Sequence, residues 1–239
     1  MNFRLALTVV GVLGVGAAGC KETIDSKNLR TAGIALTMTV TASSESSSTV
    51  KAVLRAGGDE SNTYVDLSDG DALFATGGTE TKEMGAESTG VYQTSFATGA
   101  ADTPFKVDLQ REDDDPAPNS SGTLPAPFSL TAFATSSFAR DADVVVEWSP
   151  SGTSDDMRIE ANGSCIFLYT HDIPGDTGSF TIPAGALDAP ESSKDETCDI
   201  DLEITRNRSG SADPALDPES SVTLRHRRTS KFTSTPAAP

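Results

Sequence analysis

Few residues in this 239-residue sequence could do chemistry. Nucleophilic hydrolysis needs a Ser, Cys or Thr beside a base. The sequence offers two imidazoles, His171 and His226. His171 stands in Thr170-His171-Asp172-Ile173-Pro174-Gly175, whose composition is that of an exposed turn. His226 alternates in phase with Val222 and Leu224, which places it as a partly buried strand residue rather than a base. A Gly-x-Ser-x-Gly elbow, a His-Glu-x-x-His pair, a phosphate loop and a dinucleotide-binding glycine pattern are all missing. Carboxylate pairs suited to glycoside hydrolysis are bound to occur among 35 acids, so their abundance marks no site. An envelope hydrolase is thus the weakest of the functional readings.

Two charge clusters carry the binding readings. Asp66, Asp69 and Asp71, the run Asp113-Asp114-Asp115, and Asp155-Asp156 are oxygen-rich segments of the kind that hold calcium, although none follows the EF-hand spacing. Solvation is the plainer account of them. Arg206, Arg208, Arg225, Arg227, Arg228 and Lys231 form a basic set that could capture an anionic polymer. Asp199, Asp201 and Glu203 share one face of a strand whose other face carries Ile200, Leu202 and Ile204. Those acids could neutralise outward-facing Arg225 and Arg227 on a neighbouring strand, each exposed pair contributing about 0.2–1 kcal/mol.

The third candidate chemistry is acylation. Arg4 precedes an uncharged apolar run over residues 5–15, then Gly16-Ala17-Ala18-Gly19 leads into Cys20. The run is too short to cross roughly 30 Å of hydrocarbon as a helix, and the small residues suit a signal peptidase. Ala17-Ala18-Gly19-Cys20 resembles the lipobox of bacterial lipoproteins, with Ala17 in place of the commoner Leu. That resemblance implies cleavage after residue 19 and a diacylglycerol on the Cys20 thiol. Lys21 follows, without the Asp that retains lipoproteins at the inner membrane, so the resemblance implies the outer membrane.

Lys and Arg number 18 against 35 Asp and Glu, a net charge of −17. Arg4 is the single charge in the leader, so the mature chain carries −18, which repels nucleic acid and anionic lipid. Export places Cys165 and Cys198 in an oxidising compartment. With Cys20 committed to lipid they are left to each other, and no Cys-x-x-Cys suggests metal or redox work. A disulfide closing their 33-residue separation stabilises by roughly 3–4 kcal/mol.

The elements that must position these groups read as strands. Alternating or β-branched segments at 34–40, 50–55, 63–67, 72–75, 91–96 and 105–109 precede the acidic run, and seven more follow, at 128–133, 143–148, 157–160, 166–169, 178–182, 198–205 and 221–232. Asp69-Gly70 between the third and fourth segments predicts a hairpin. No stretch keeps a 3.6-residue period. The organisation expected is a signal peptide over 1–19, a lipidated polar tether over 20–30, a β-sandwich over 31–115, a Pro/Gly/Ser linker over 116–124, a second, disulfide-bonded sandwich over 125–234, and a tail over 235–239.

Asp69-Gly70-Asp71-Ala72-Leu73, Val146-Glu147-Trp148-Ser149-Pro150, the segment 178–185, Arg206-Asn207-Arg208-Ser209-Gly210 and Asp213-Pro214 resemble, over most of the mature chain, the immunoglobulin-like modules of bacterial envelope lipoproteins of the myxobacterial type. Trp148 precedes both Cys165 and Cys198 instead of lying between them, so only the architecture is implied. The expectation is therefore all-β: two tandem antiparallel immunoglobulin-like sandwiches, membrane-anchored through lipid. They carry no cofactor beyond that lipid, with calcium as the alternative. Envelope protein or polysaccharide is the implied partner.

Overall fold

The computed structural model describes residues 21–237. The expected leader over 1–19 and lipidated Cys20 lie outside the described residues, as do positions 238 and 239 of the tail. Among the described residues eighteen strands run in chain order: β1 Glu22–Asp25, β2 Ile34–Ser44, β3 Ser47–Ala56, β4 Thr63–Asp66, β5 Ala72–Gly77, β6 Glu80–Glu83, β7 Gly85–Ser88, β8 Val91–Phe96 and β9 Pro104–Gln110. They continue with β10 Ala117–Thr123, β11 Ser129–Leu130, β12 Ser137–Ala139, β13 Val144–Ser149, β14 Asp156–Asn162, β15 Tyr169–Ile173, β16 Ser179–Ile182, β17 Cys198–Ser209 and β18 Ser221–Thr235. Two single-turn 3-10 helices, Ser26–Asn28 and Thr31–Gly33, complete the regular structure.

The fold is all-β, as the alternation implies, and comprises two sandwiches. One 11-stranded sheet ordered β1-β4-β3-β2-β18-β17-β14-β15 serves both, with β12 beside β18, β8 beside β3 and β7 beside β8. A four-stranded sheet, β10-β9-β5-β6, covers its first half, and a three-stranded sheet, β11-β13-β16, covers its second. Within β2 the pattern is strict: Leu36, Met38, Val40 and Ala42 are buried while Thr37, Thr39 and Thr41 are half-exposed. The first core joins these to Leu73, Phe105, Val107 and Leu109 of the covering sheet, and the second joins Val146 and Trp148 to Ile159, Ile200, Leu202 and Phe232.

Several expectations need correction. The span 116–124 is no linker: β10 pairs antiparallel with β9, and Ala117, Ser120 and Leu124 are buried. Small polar residues on an outer edge strand need supply only half a buried face, so composition hid the strand. The boundary at 125 also fails, because Leu216, Val222 and Leu224 pack in the first core. The described part of the tether expected over 20–30 is docked, with β1 laid parallel on β4 and Arg111 holding the carbonyls of Ser26 and Leu29. Pairing is mixed, since β1–β4, β2–β18 and β12–β18 are parallel. Finally, Asp69 (φ 51°) and Gly70 (φ 90°) make the tight turn, yet the strands on either side enter different sheets. Turn chemistry fixes the local reversal, and burial decides which sheet each strand joins.

The segment expected as a strand at 166–169 begins only at Tyr169, because Ile166 is buried in the turn beside the disulfide. Cys165 and Cys198 are joined, with Cα atoms 5.8 Å apart. The buried Arg140 guanidinium holds the neighbouring loop, donating to the Glu196 carbonyl at 3.1 Å and to the Lys194 carbonyl.

Candidate functional site

A cluster of charged side chains lies on the long antiparallel pair β17–β18, whose residues enter both cores. The face of β17 that buries Ile200, Leu202 and Ile204 continues, two residues per step, to Arg206 and Arg208. Arg206 is fully buried, as is its partner Asp176 at 2.8 Å. Its guanidinium also donates to the carbonyls of Ala126 (2.8 Å), Pro127 (3.2 Å) and Pro150 (2.6 Å), leaving Nε without a partner. Asp176 accepts from the Trp148 indole at 2.6 Å and from the Thr153 amide and hydroxyl at 3.2 and 3.0 Å. Burial opposes the charge on Asp176, but these donors and the Arg206 guanidinium outweigh it and hold the carboxyl below its ordinary range.

Arg206 and Arg228 both approach the Phe128 ring, their guanidinium carbons 5.0 and 5.5 Å from its centroid. Arg208 spans the two halves. It grips Asp155 with Nε and Nη2 (2.7 and 3.0 Å), and its Nη1 reaches Asp102 (2.7 Å) and the Leu124 carbonyl (2.9 Å). His226 occupies the same level, fully buried, with neither ring nitrogen hydrogen-bonded. Burial, reinforced by Arg228, pushes its pKa down to about 4; the nearby Gly99 backbone offsets a part of this without reaching hydrogen-bond geometry.

The expected basic patch is therefore dispersed. Arg206 is an internal strut, Arg208 a half-exposed one, Arg225 donates to Thr41 at 3.0 Å, and Arg228 donates to the carbonyls of Ser43 and Arg227. Arg227 and Lys231 face Glu203 and Asp201 at 3.4 and 2.8 Å, the cross-strand neutralisation that alternation suggested.

The acidic candidates are also separated. Asp66 accepts from the Tyr92 hydroxyl, Asp69 pairs with Lys27 at 2.8 Å, and Asp71 pairs with Arg111 at 2.8 Å. Asp114 accepts the Thr31 amide at 2.7 Å, and that bond holds its carboxyl below the usual range. Asp113 and Asp115 are exposed on the β9–β10 turn, and Asp156 accepts the Gly175 amide at 2.9 Å. Among the described residues no group of three or more His, Cys, Asp or Glu side chains is arranged to hold a metal ion. Each engaged carboxylate pins a turn or a neighbouring strand.

His171 belongs to β15 rather than to a turn, and its ring stacks on Phe180 at 4.5 Å. Asp176 and Asp102 carry no sequence signal, since nothing local marks their partners, and Trp148, singled out only as a core aromatic, gives no hint of its bond to Asp176. The signal for Arg206 was present: continuing the alternation of Ile200, Leu202 and Ile204 by one step puts its side chain inward.

No family profile matches the sequence, and no curated protein matches it. Among solved structures, the chain is similar to the Yersinia pseudotuberculosis adhesin InvE at 12% identity and a TM-score of 0.23, covering 84% of this chain and 58% of that one. It is similar to the FN1–FN3 domains of chicken CNTN1 at 8% identity and a TM-score of 0.23, covering 88% and 69%. A tetra-tandem repeat from the extending region of a large adhesion protein gives 14% identity and a TM-score of 0.25, covering 83% and 49%. This chain thus spans less than two thirds of the first of these structures, and superpositions this loose carry no functional argument.

Proposed function

We propose that this chain is a non-catalytic, lipid-anchored protein of the bacterial envelope, an extended β scaffold that meets another envelope protein or a polysaccharide through its loops. One observation carries the reading: the side chains with most chemical potential are buried or engaged in structural contacts within and between the two sandwiches. Arg206 and Asp176 neutralise each other in the interior, and Arg208 links Asp155 to Asp102. His226 is closed off from solvent, and His171 lies flat on Phe180. The leader pattern ending at Cys20 supports export and acylation, and the disulfide fits an oxidising compartment.

Cells grown with radiolabelled palmitate test the anchor. The wild type is expected to incorporate label and Cys20→Ala to lose it, with unprocessed precursor accumulating. Equal labelling of both would overturn the anchor. Cross-linking of the membrane-bound protein, followed by mass spectrometry, tests the interaction role, with one recurrent envelope partner as the expected result.

A further inference from the structure

The docked N-terminal segment determines how such an anchored body would stand. Glu22 is fixed at the start of β1: its amide donates to the Asn62 carbonyl at 3.2 Å, its carboxylate accepts from the Thr63 hydroxyl at 3.4 Å, and β1 continues beside β4. Arg111 locks the two short helical turns after β1, donating to the carbonyls of Ser26 (2.8 Å) and Leu29 (2.9 Å) and to the Thr31 hydroxyl (3.1 Å). Lys21 itself lies over the Tyr64 ring at 5.0 Å, with Arg55 within 5.3 Å of the same ring.

Between Cys20 and Glu22 there are two residue steps, at most about 7 Å of chain. The headgroup layer on each side of the hydrocarbon is also only about 5–7 Å deep. An acyl group on Cys20 therefore leaves no slack.

The registers locate Glu22 at one extremity of the molecule. β1 starts level with Thr63, Arg55 is level with Tyr64, and Ile34 is level with Ala56. β2 then runs parallel to β18, Thr37 level with Ser221, and β18 carries the ladder on to Thr235 beside Cys198 and β12. Seventeen residue steps separate Ile34 from Thr235 along this line, roughly 55 Å. At the remote extremity the disulfide loop exposes Phe167 (57%) and Leu168 (58%).

We infer that the extremity formed by Lys21, the turn at 57–62 and the adjoining segment at 217–220 abuts the phospholipid headgroups, so that the body stands upright and presents the disulfide loop at its far end. This rests on acylation of Cys20. It adds a specific membrane-facing surface and an orientation. Tyr64, an aromatic suited to a membrane–water interface, is half-buried at that surface.

Neutron reflectometry on a phosphatidylcholine bilayer decides it. The mature chain, 20–239, is coupled through the Cys20 thiol to a maleimide lipid, its other two cysteines being joined to each other. The expected profile is a protein layer roughly 55 Å deep and contiguous with the headgroups. A variant with about 20 Gly/Ser residues inserted between Cys20 and Lys21, outside the folded body, is expected to open a water-rich gap of up to roughly 25 Å. A layer much shallower than 55 Å, or the same gap with and without the insert, would overturn the orientation. The mass of the native membrane-extracted protein judges acylation separately. Absence of diacylglycerol there overturns the anchor, whatever pose the coupled chain adopts.

Discussion

Arg206 and Asp176 face each other at 2.8 Å with both side chains entirely removed from solvent, one from β17 of the shared sheet and the other from the turn preceding β16 of a covering sheet. The pair ties the two layers of the second sandwich together at its inner end. Removing one partner strands a charge in the interior.

Asp176→Ala should lower the unfolding free energy by about 3–5 kcal/mol, measured by urea titration. The double replacement Arg206→Met with Asp176→Leu should recover much of that loss, because a desolvated ion pair gives little net gain over apolar residues of like volume. A double variant as unstable as Asp176→Ala would contradict this account.

Acid should weaken the fold in two stages with the same sign. His226 has a folded pKa near 4 against about 6.5 when unfolded. The unfolded chain therefore binds its proton first, and stability falls as pH drops from 6.5 towards 4, by about 2–3 kcal/mol. Asp176, depressed below its ordinary value, contributes stability that is lost as pH falls further, through its folded pKa. His226→Gln should flatten the profile between pH 6.5 and 4. An unaltered slope in that window would exclude His226 as its source.

Arg208 joins Asp102 and Leu124 of the first half to Asp155 of the second. Arg208→Ala should separate calorimetric melting into two resolved steps or broaden it. Arg208→Lys should not restore a single transition, since an ammonium cannot reproduce the two-pronged contact with Asp155. A sharp single transition in both variants would show that packing alone couples the halves.

Reduction of Cys165–Cys198 should cost roughly 3–4 kcal/mol and speed amide exchange first in the loop between β16 and β17, where Arg140 binds the Lys194 and Glu196 carbonyls. Unchanged exchange there after reduction would count against the disulfide as the restraint.

Calcium, compared with chelator, should leave the melting temperature in place, because Asp66, Asp69, Asp71 and Asp114 already take donors from Tyr92, Lys27, Arg111 and Thr31. A rise with millimolar calcium would reveal a site that these contacts do not suggest.

The sequence made strands legible wherever a buried face alternated with Thr, Ser or charge, as in β2, β3, β9 and β17. It concealed β10, whose Ser, Gly and Pro suggest a turn, and β1, whose four residues owe their conformation to β4. Asp69-Gly70 revealed the reversal but not its destination, which depends on partners far along the chain. The cysteine pairing followed from compartment and elimination. The joint between the sandwiches did not: Arg206 reads as surface charge until the alternation that buries Ile204 is extended to it, and Asp176 enters through a contact thirty residues distant in sequence.

Because β18 closes both sandwiches, neither can be completed before the last tenth of the polypeptide is delivered. A chain emerging amino end first holds β2 with one edge unpaired, and β17 has no inner neighbour, until Ser221 onward arrives. Stop codons shortly before that point should accordingly yield no independently stable fragment. The export proposed above would gain from the same circumstance, since a threaded portion lacking β18 cannot lock prematurely.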